Sequence, residues 1–271
     1  NQKYNAGHWN DLGAFYGINN VLTELRRDFP TIHINSKDEF AVTQKQNTSL
    51  MVSEFPIDEL EPIFTAKNAF TDLTDSFCGE VAMDSQHRTF AYRTNSESVK
   101  EGNVRALVFQ GSYFNGMGYK FLANSLGEYI AVHNYQNVLN MPYYFNLFKP
   151  DCVVFEVAEY TFADNYFSYD KMKNLSLNRP LSAYESLPQT EKSMDELSLD
   201  IATGKALTIL TADNLPQDTK SAYLVMGGTE YDFLPQEDGS WSLSVQNLYG
   251  GGSDMEIIAV DSSESICTRY K

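Results

Sequence analysis

Cysteine is scarce in this sequence: Cys78, Cys152 and Cys267 are scattered and odd in number. That pattern is neither a disulfide framework nor a metal-spaced cluster. Positive charge is also short. Lys and Arg total 20 against 36 Asp and Glu, a formal net charge of -16, and no basic cluster interrupts the excess. Such a surface repels phosphate backbones and excludes nucleic acid as a partner. No run reaches the roughly 18 apolar residues of a membrane-spanning helix, and no signal-peptide pattern is present. The chain opens Asn1-Gln2 without an initiator Met. It therefore reads as a piece of a longer product, and its missing targeting segment says little about the parent. There is no internal repeat, no P-loop and no dinucleotide fingerprint, so no cofactor is assigned. Glu80 and Asp84 lack the oxygen-rich loop of a dedicated Ca²⁺ site, so no metal is assigned either.

Aromatic residues are plentiful, with 17 Tyr and 17 Phe in a chain that is 42% hydrophobic. This is the composition of a folded protein, and the rings belong first to cores rather than to ligand stacking. At 271 residues the chain is long enough for a sizeable core and two domains.

Residues 104–135 organise the first part. The apolar run 106–109 has the length of a buried strand. Gly111, Ser112, Gly116 and Gly118 follow, then Phe121, Leu122, Leu126 and Ile130 at helical spacing. Strand, tight turn and helix lift a serine to the carboxyl edge of a sheet, where ligands bind. The alternative is that Ser112 only caps the helix.

Upstream, Phe15, Ile18, Val21, Leu22 and Leu25 form an apolar helical face, with Asn10 or Asp11 as cap and Pro30 as its stop. His8 stands just before this helix, either as a site residue or as a capping histidine. Residues 37–84 show little pattern, although 49–55 reads as a strand, and 90–93 beyond them reads as another. Pro142 interrupts a helix expected over 135–148. A second buried strand is expected over 152–157, with Cys152 as a small core residue. Glu156 and Glu159 at its end face the same edge as Ser112, as site residues or as a polar pair closing the strand. Strands alternating with helices predict a mainly parallel sheet covered on both faces.

Composition changes near residue 175. Residues 176–197 read as a linker, and 198–271 as a small antiparallel β-sandwich without a catalytic cluster. Its expected strands are 206–210, 221–226, 241–245 and 255–260, punctuated by glycines. A solvent-facing row containing Trp241 and Tyr249 would favour glycans.

Taken together, Gly7-His8-Trp9-Asn10-Asp11-Leu12-Gly13-Ala14, residues 107–114 and residues 151–160 resemble the SGNH-hydrolase-like domain of alginate O-acetyltransferases and related DHHW surface proteins. The resemblance covers roughly residues 5–167 and implies a flavodoxin-like, SGNH-type three-layer sandwich over residues 1–175. It implies His8 as catalytic base and Ser112 as nucleophile. The substrate would be an extracytoplasmic polysaccharide, with a membrane-bound protein as acetyl donor. Three positions depart from the family pattern: Ala6 and Gly111 stand where the family has Asp, and Tyr160 stands where it has Arg. Glu156, Glu159 or Asp11 would then have to orient the histidine, and the backbone N–H groups of Ser112 and Tyr113 would hold the oxyanion. Two functions stay open: serine-dependent acetyl transfer or ester hydrolysis, and a non-catalytic polysaccharide-binding surface protein on the same fold.

Overall fold

The computed structural model describes residues 8–48, 58–68, 70–95, 104–163, 166–173, 175–247 and 255–271. Ala6, the strand expected over 49–55, and Tyr249 lie outside them. The chain is mixed α/β and forms two compact units. One comprises Asn1–Asp75, Met83–Val138 and Pro150–Tyr169; the other comprises Ser76–Ala82, Leu139–Lys149 and Asp170–Lys271. The single boundary expected near 175 is therefore replaced by several passages between the units.

In the first unit, helix α1 (Asp11–Leu25) begins where the Asn10 side chain accepts the Gly13 N–H at 3.0 Å. Its buried face is Ala14, Phe15, Ile18 and Leu22. It ends well before Pro30, because the apolar spacing gives way to Arg26-Arg27-Asp28 and the backbone closes into tighter turns. Strands β1 (Phe40–Asn47) and β2 (Glu59–Ala66) pair antiparallel as a two-stranded ribbon. Sequence patterning misses both, since most of β1 is exposed on both faces and carries no period of two. The base of the ribbon is anchored in the core. There Phe40 and Phe64 pack with Phe15 and Phe121 at ring-centroid separations of 5.1–6.3 Å.

The main sheet contains β3 (Thr71–Asp72), β4 (Phe90–Thr94), β5 (Arg105–Gln110), β6 (Glu128–His133) and β7 (Cys152–Phe155). Its order is β3-β4-β6-β5-β7. The run β6-β5-β7 is parallel, whereas β4 and β3 join antiparallel. The sheet is thus mixed, with a parallel half and an antiparallel flank. Every residue of β5 from Ala106 to Gln110 is buried, as a strand covered on both faces requires. Strand β7 differs from expectation. It is an edge strand, Val153 and Phe155 are 37% and 42% exposed, and Cys152 is only partly buried.

After β5 the helix starts at Ser112, passes through a π-helical turn at Phe114–Gly118 and continues as α2 (Tyr119–Ser125). Ile130 continues the helical spacing of Leu126 in the sequence, but 130–133 also reads there as a short strand, and the residue lies in β6.

The second unit includes α3 (Met141–Phe148), where Pro142 occupies the first turn instead of interrupting a helix. Proline is tolerated there because that N–H has no helical partner to lose. The remaining strands are β8 (Gln189–Lys192), β9 (Leu199–Thr203), β10 (Leu207–Ala212), β11 (Thr219–Met226), β12 (Thr229–Pro235), β13 (Trp241–Gln246), β14 (Met255–Asp261) and β15 (Cys267–Tyr270). They form one sheet in the order β8-β15-β14-β11-β12-β13-β10-β9. Strand β12 pairs with β11 through Phe233 and then with β13 through Leu234 and Pro235. Leu210, Leu224, Phe233, Leu243 and Ile257, drawn from both halves of the sheet, share one core. The stretch expected as a linker is structured: β8 pairs in parallel with β15, and Tyr184 is buried against Tyr223, Ile258 and Cys267.

Candidate active site

The site lies at the carboxyl edge of the parallel strands in the first unit. The apolar run of β5 closes on Gln110, whose side chain accepts the Tyr129 hydroxyl and donates to Asn115 Oδ1 at 3.3 Å. Gly111 is buried, and Ser112 emerges exposed at the first position of the helix.

His8 reaches that position through its neighbour. Trp9 Nε1 donates to the Tyr113 carbonyl at 3.1 Å, and its ring lies parallel to Phe114 and edge-on to Tyr113. The other side of the indole rests on Gly17 of α1, where an added Cβ would come within 2.3 Å of the ring. With Trp9 clamped, His8 stands 4.8 Å from the Tyr113 ring centre, and its Nε2 lies 2.6 Å from Ser112 Oγ. Both side chains are open to solvent. An imidazole at that distance can take the hydroxyl proton as a nucleophile attacks.

The acidic candidates go elsewhere. Glu156 reaches the turn, and no hydrogen bond among the described residues joins it to His8. Its Oε2 accepts the N–H groups of Gly111 at 2.7 Å and Phe114 at 3.2 Å, and its Oε1 accepts that of Tyr113 at 3.3 Å. The Tyr113 N–H expected at an oxyanion is therefore directed at Glu156. Burial pushes the Glu156 carboxyl above the ordinary glutamate range, and the three N–H groups only partly pull it back. Asp11 is buried, with its Oδ2 accepting the Phe64 N–H and the Lys120 ammonium, each at 2.7 Å. It ties α1 to β2 and α2. Glu159 is exposed in the short turn Glu159–Thr161, and no hydrogen bond among the described residues joins it to His8 or Ser112. Tyr160 beside it is also exposed.

Sequence reading did not single out Asn134. This buried residue follows β6, donates through Nδ2 to the Glu156 carbonyl at 2.7 Å, and lies 3.4 Å from where a Cβ on Gly111 would sit. The available signal was positional: Asn134 is the first buried polar residue past a buried strand at the ligand-binding edge. Trp9 carries no local sign of its anchoring role, which depends on packing against Gly17 within α1 and on Tyr113, 104 residues away. Among the described residues no group of three His, Cys, Asp or Glu is placed to hold a metal ion.

The fold and site define a mixed α/β chain with a serine–histidine pair at the carboxyl edge of parallel strands. No family model matches the chain, and no curated protein matches it. Among solved structures it is similar to Bacillus cereus PatB1 in a structure with a sulfonyl adduct. Sequence identity is 18%, the match covers 55% of this chain and 57% of that chain, and the TM-score is 0.40. That is a distant likeness, too remote to carry an argument about the site.

Proposed function

We propose that this chain is a serine-dependent acyl-transfer enzyme that either transfers acetyl groups to, or hydrolyses acetyl esters on, an extracellular or cell-wall polysaccharide. The carrying observation is the 2.6 Å approach of His8 Nε2 to Ser112 Oγ at a strand-to-helix turn. In the reaction, Ser112 Oγ bonds to the acetyl carbonyl carbon while its proton passes to His8 Nε2. The leaving oxygen departs with that proton as the carbonyl re-forms. A sugar hydroxyl or water then attacks the acetyl-serine, giving a transferase or an esterase respectively. In this reading the first unit is a flavodoxin-like SGNH-type domain working outside the cytoplasm. A membrane-bound protein supplies the acetyl group, and the β unit contacts glycan.

A second reading draws on the Tyr113 N–H being held by Glu156 at 3.3 Å: a polysaccharide-binding protein that keeps the fold without the chemistry. The test is hydrolysis of a chromogenic acetyl ester together with mass analysis after exposure to a sulfonyl fluoride. Turnover and a single adduct on Ser112, both lost in Ser112→Ala with turnover falling about 10³-fold or more, support the enzyme. A wild-type protein that neither turns over nor labels leaves the binding protein.

A further inference from the structure

The backbone around Ser112 poses a capping problem that the local sequence does not solve. Gly111 stands at the N-cap of a helix whose first residue is Ser112. The N–H groups two and three residues into a helix need an acceptor, which an Asp, Asn, Ser or Thr at the N-cap normally supplies. Gly111 has no side chain to supply it. The N–H groups of Tyr113 and Phe114 turn instead to Glu156, which arrives from the end of β7 and also accepts the Gly111 N–H at 2.7 Å. The carboxylate fills the space over residue 111: a Cβ there would lie 3.0 Å from Oε1 and 3.4 Å from Cδ. Asn134 closes the other side, 3.4 Å from the same point, and holds the Glu156 main chain through its carbonyl.

We propose that Glu156 is the positioning residue of the nucleophile turn, a helix cap supplied from another strand, and that Gly111 is glycine because that cap occupies its side-chain space. No hydrogen bond among the described residues joins Glu156 to Ser112 Oγ or His8 Nε2. It fixes the three amides that surround Ser112 and so fixes where Oγ stands relative to the imidazole. The inference deepens the proposed acyl-transfer role and rests on it for its kinetic half. Its structural half stands apart from activity.

Two consequences separate a positioning cap from ordinary structural support. Loss of the carboxylate in Glu156→Ala should loosen the turn, lowering kcat about 10²-fold, as a small misplacement of a reacting group does, with KM little changed. An aspartate at 111 is itself a good N-cap, able to accept the N–H groups of Tyr113 and Phe114. Alone, Gly111→Asp sets a second carboxylate against Glu156 and should also impair the turn. Combined with Glu156→Ala, it should restore the cap from the local position.

The experiment makes the two single variants and the double variant. It measures kcat and KM on the chromogenic ester, and amide hydrogen exchange at Gly111, Tyr113 and Phe114. The expected result is faster exchange in Glu156→Ala and slower exchange again at Tyr113 and Phe114 in the double variant. The kcat of the double variant should exceed that of both singles. Unchanged exchange in Glu156→Ala, or a double variant no better protected than the worse single, overturns the proposal whether or not the protein turns over ester. If all variants and the wild type lack activity while exchange follows the expected pattern, the cap stands and the acyl-transfer reading falls.

Discussion

At the scale of single residues, one packing contact bears on the geometry of the candidate site. Trp9 is held between Gly17 on one side and Tyr113 and Phe114 on the other, and His8 is its neighbour in the chain. Gly17→Ala would place a methyl 2.3 Å from the indole, too close for any Cβ to tolerate. Either the indole leaves its slot or α1 shifts, and overpacking of this kind costs about 1–3 kcal/mol. The expected outcome is a fall in urea-unfolding stability of that order, together with loss of most ester turnover as His8 moves away from Ser112. A variant with reduced stability but full turnover would show that His8 is placed by something other than Trp9.

At the scale of elements, the segment Ser76–Ala82 belongs to the second unit, and a backbone clasp helps to hold it there alongside the contacts of Ala82 with Tyr143 and Tyr144 and of Phe77 with Phe148. The Glu80 carboxylate accepts the N–H groups of Lys205 at 2.8 Å and of Ala206 and Leu207 at 3.0 Å, where β10 begins. The N–H groups of Leu207 and Ala206 lead in holding the Glu80 carboxyl below the ordinary glutamate range. A carboxyl whose folded pKa is depressed contributes stability above its unfolded value, about 4.3, and loses that contribution as pH falls through the folded value. Glu80→Ala should therefore lower the melting temperature at neutral pH and make less difference in acid. Amide exchange at Lys205, Ala206 and Leu207 should rise in the same variant. Equal destabilisation at pH 7 and in strong acid would mean that the charge of Glu80 is not what holds the segment.

At the scale of the whole molecule, a net charge of -16 on 271 residues implies that acidic groups repel one another across the surface. Self-repulsion of this kind weakens the compact state. Raising NaCl from about 0.01 to about 0.1 M shortens the screening length from roughly 30 to roughly 10 Å, so the melting temperature at pH 7 should rise. Calorimetry at the two salt concentrations reads this directly. A melting temperature that falls with salt would show that the ion pairs, such as Arg269 with Glu256 and Lys120 with Asp11, outweigh the repulsion.

The sequence by itself determined the elements with strong local signals. The buried run of β5, the apolar face of α1, the serine at a strand-to-helix turn and the β-rich end of the chain were all legible from periodicity and turn residues. Period-based reading failed where burial is set from outside the segment. Strand β1 is exposed on both faces over most of its length, β7 leaves the face carrying Val153 and Phe155 exposed, and β8 takes its order from joining β15. The same limit governs the site. Ser112 and His8 could be nominated one at a time, but their 2.6 Å meeting depends on a tryptophan seated on a glycine in α1. Glu156 could be nominated as an acid, yet which N–H groups it accepts was decided only when β7 came to lie beside β5. Hydrogen bonds and close packing act over a few ångströms, so residues distant in the chain acquire roles only once the fold has made them neighbours.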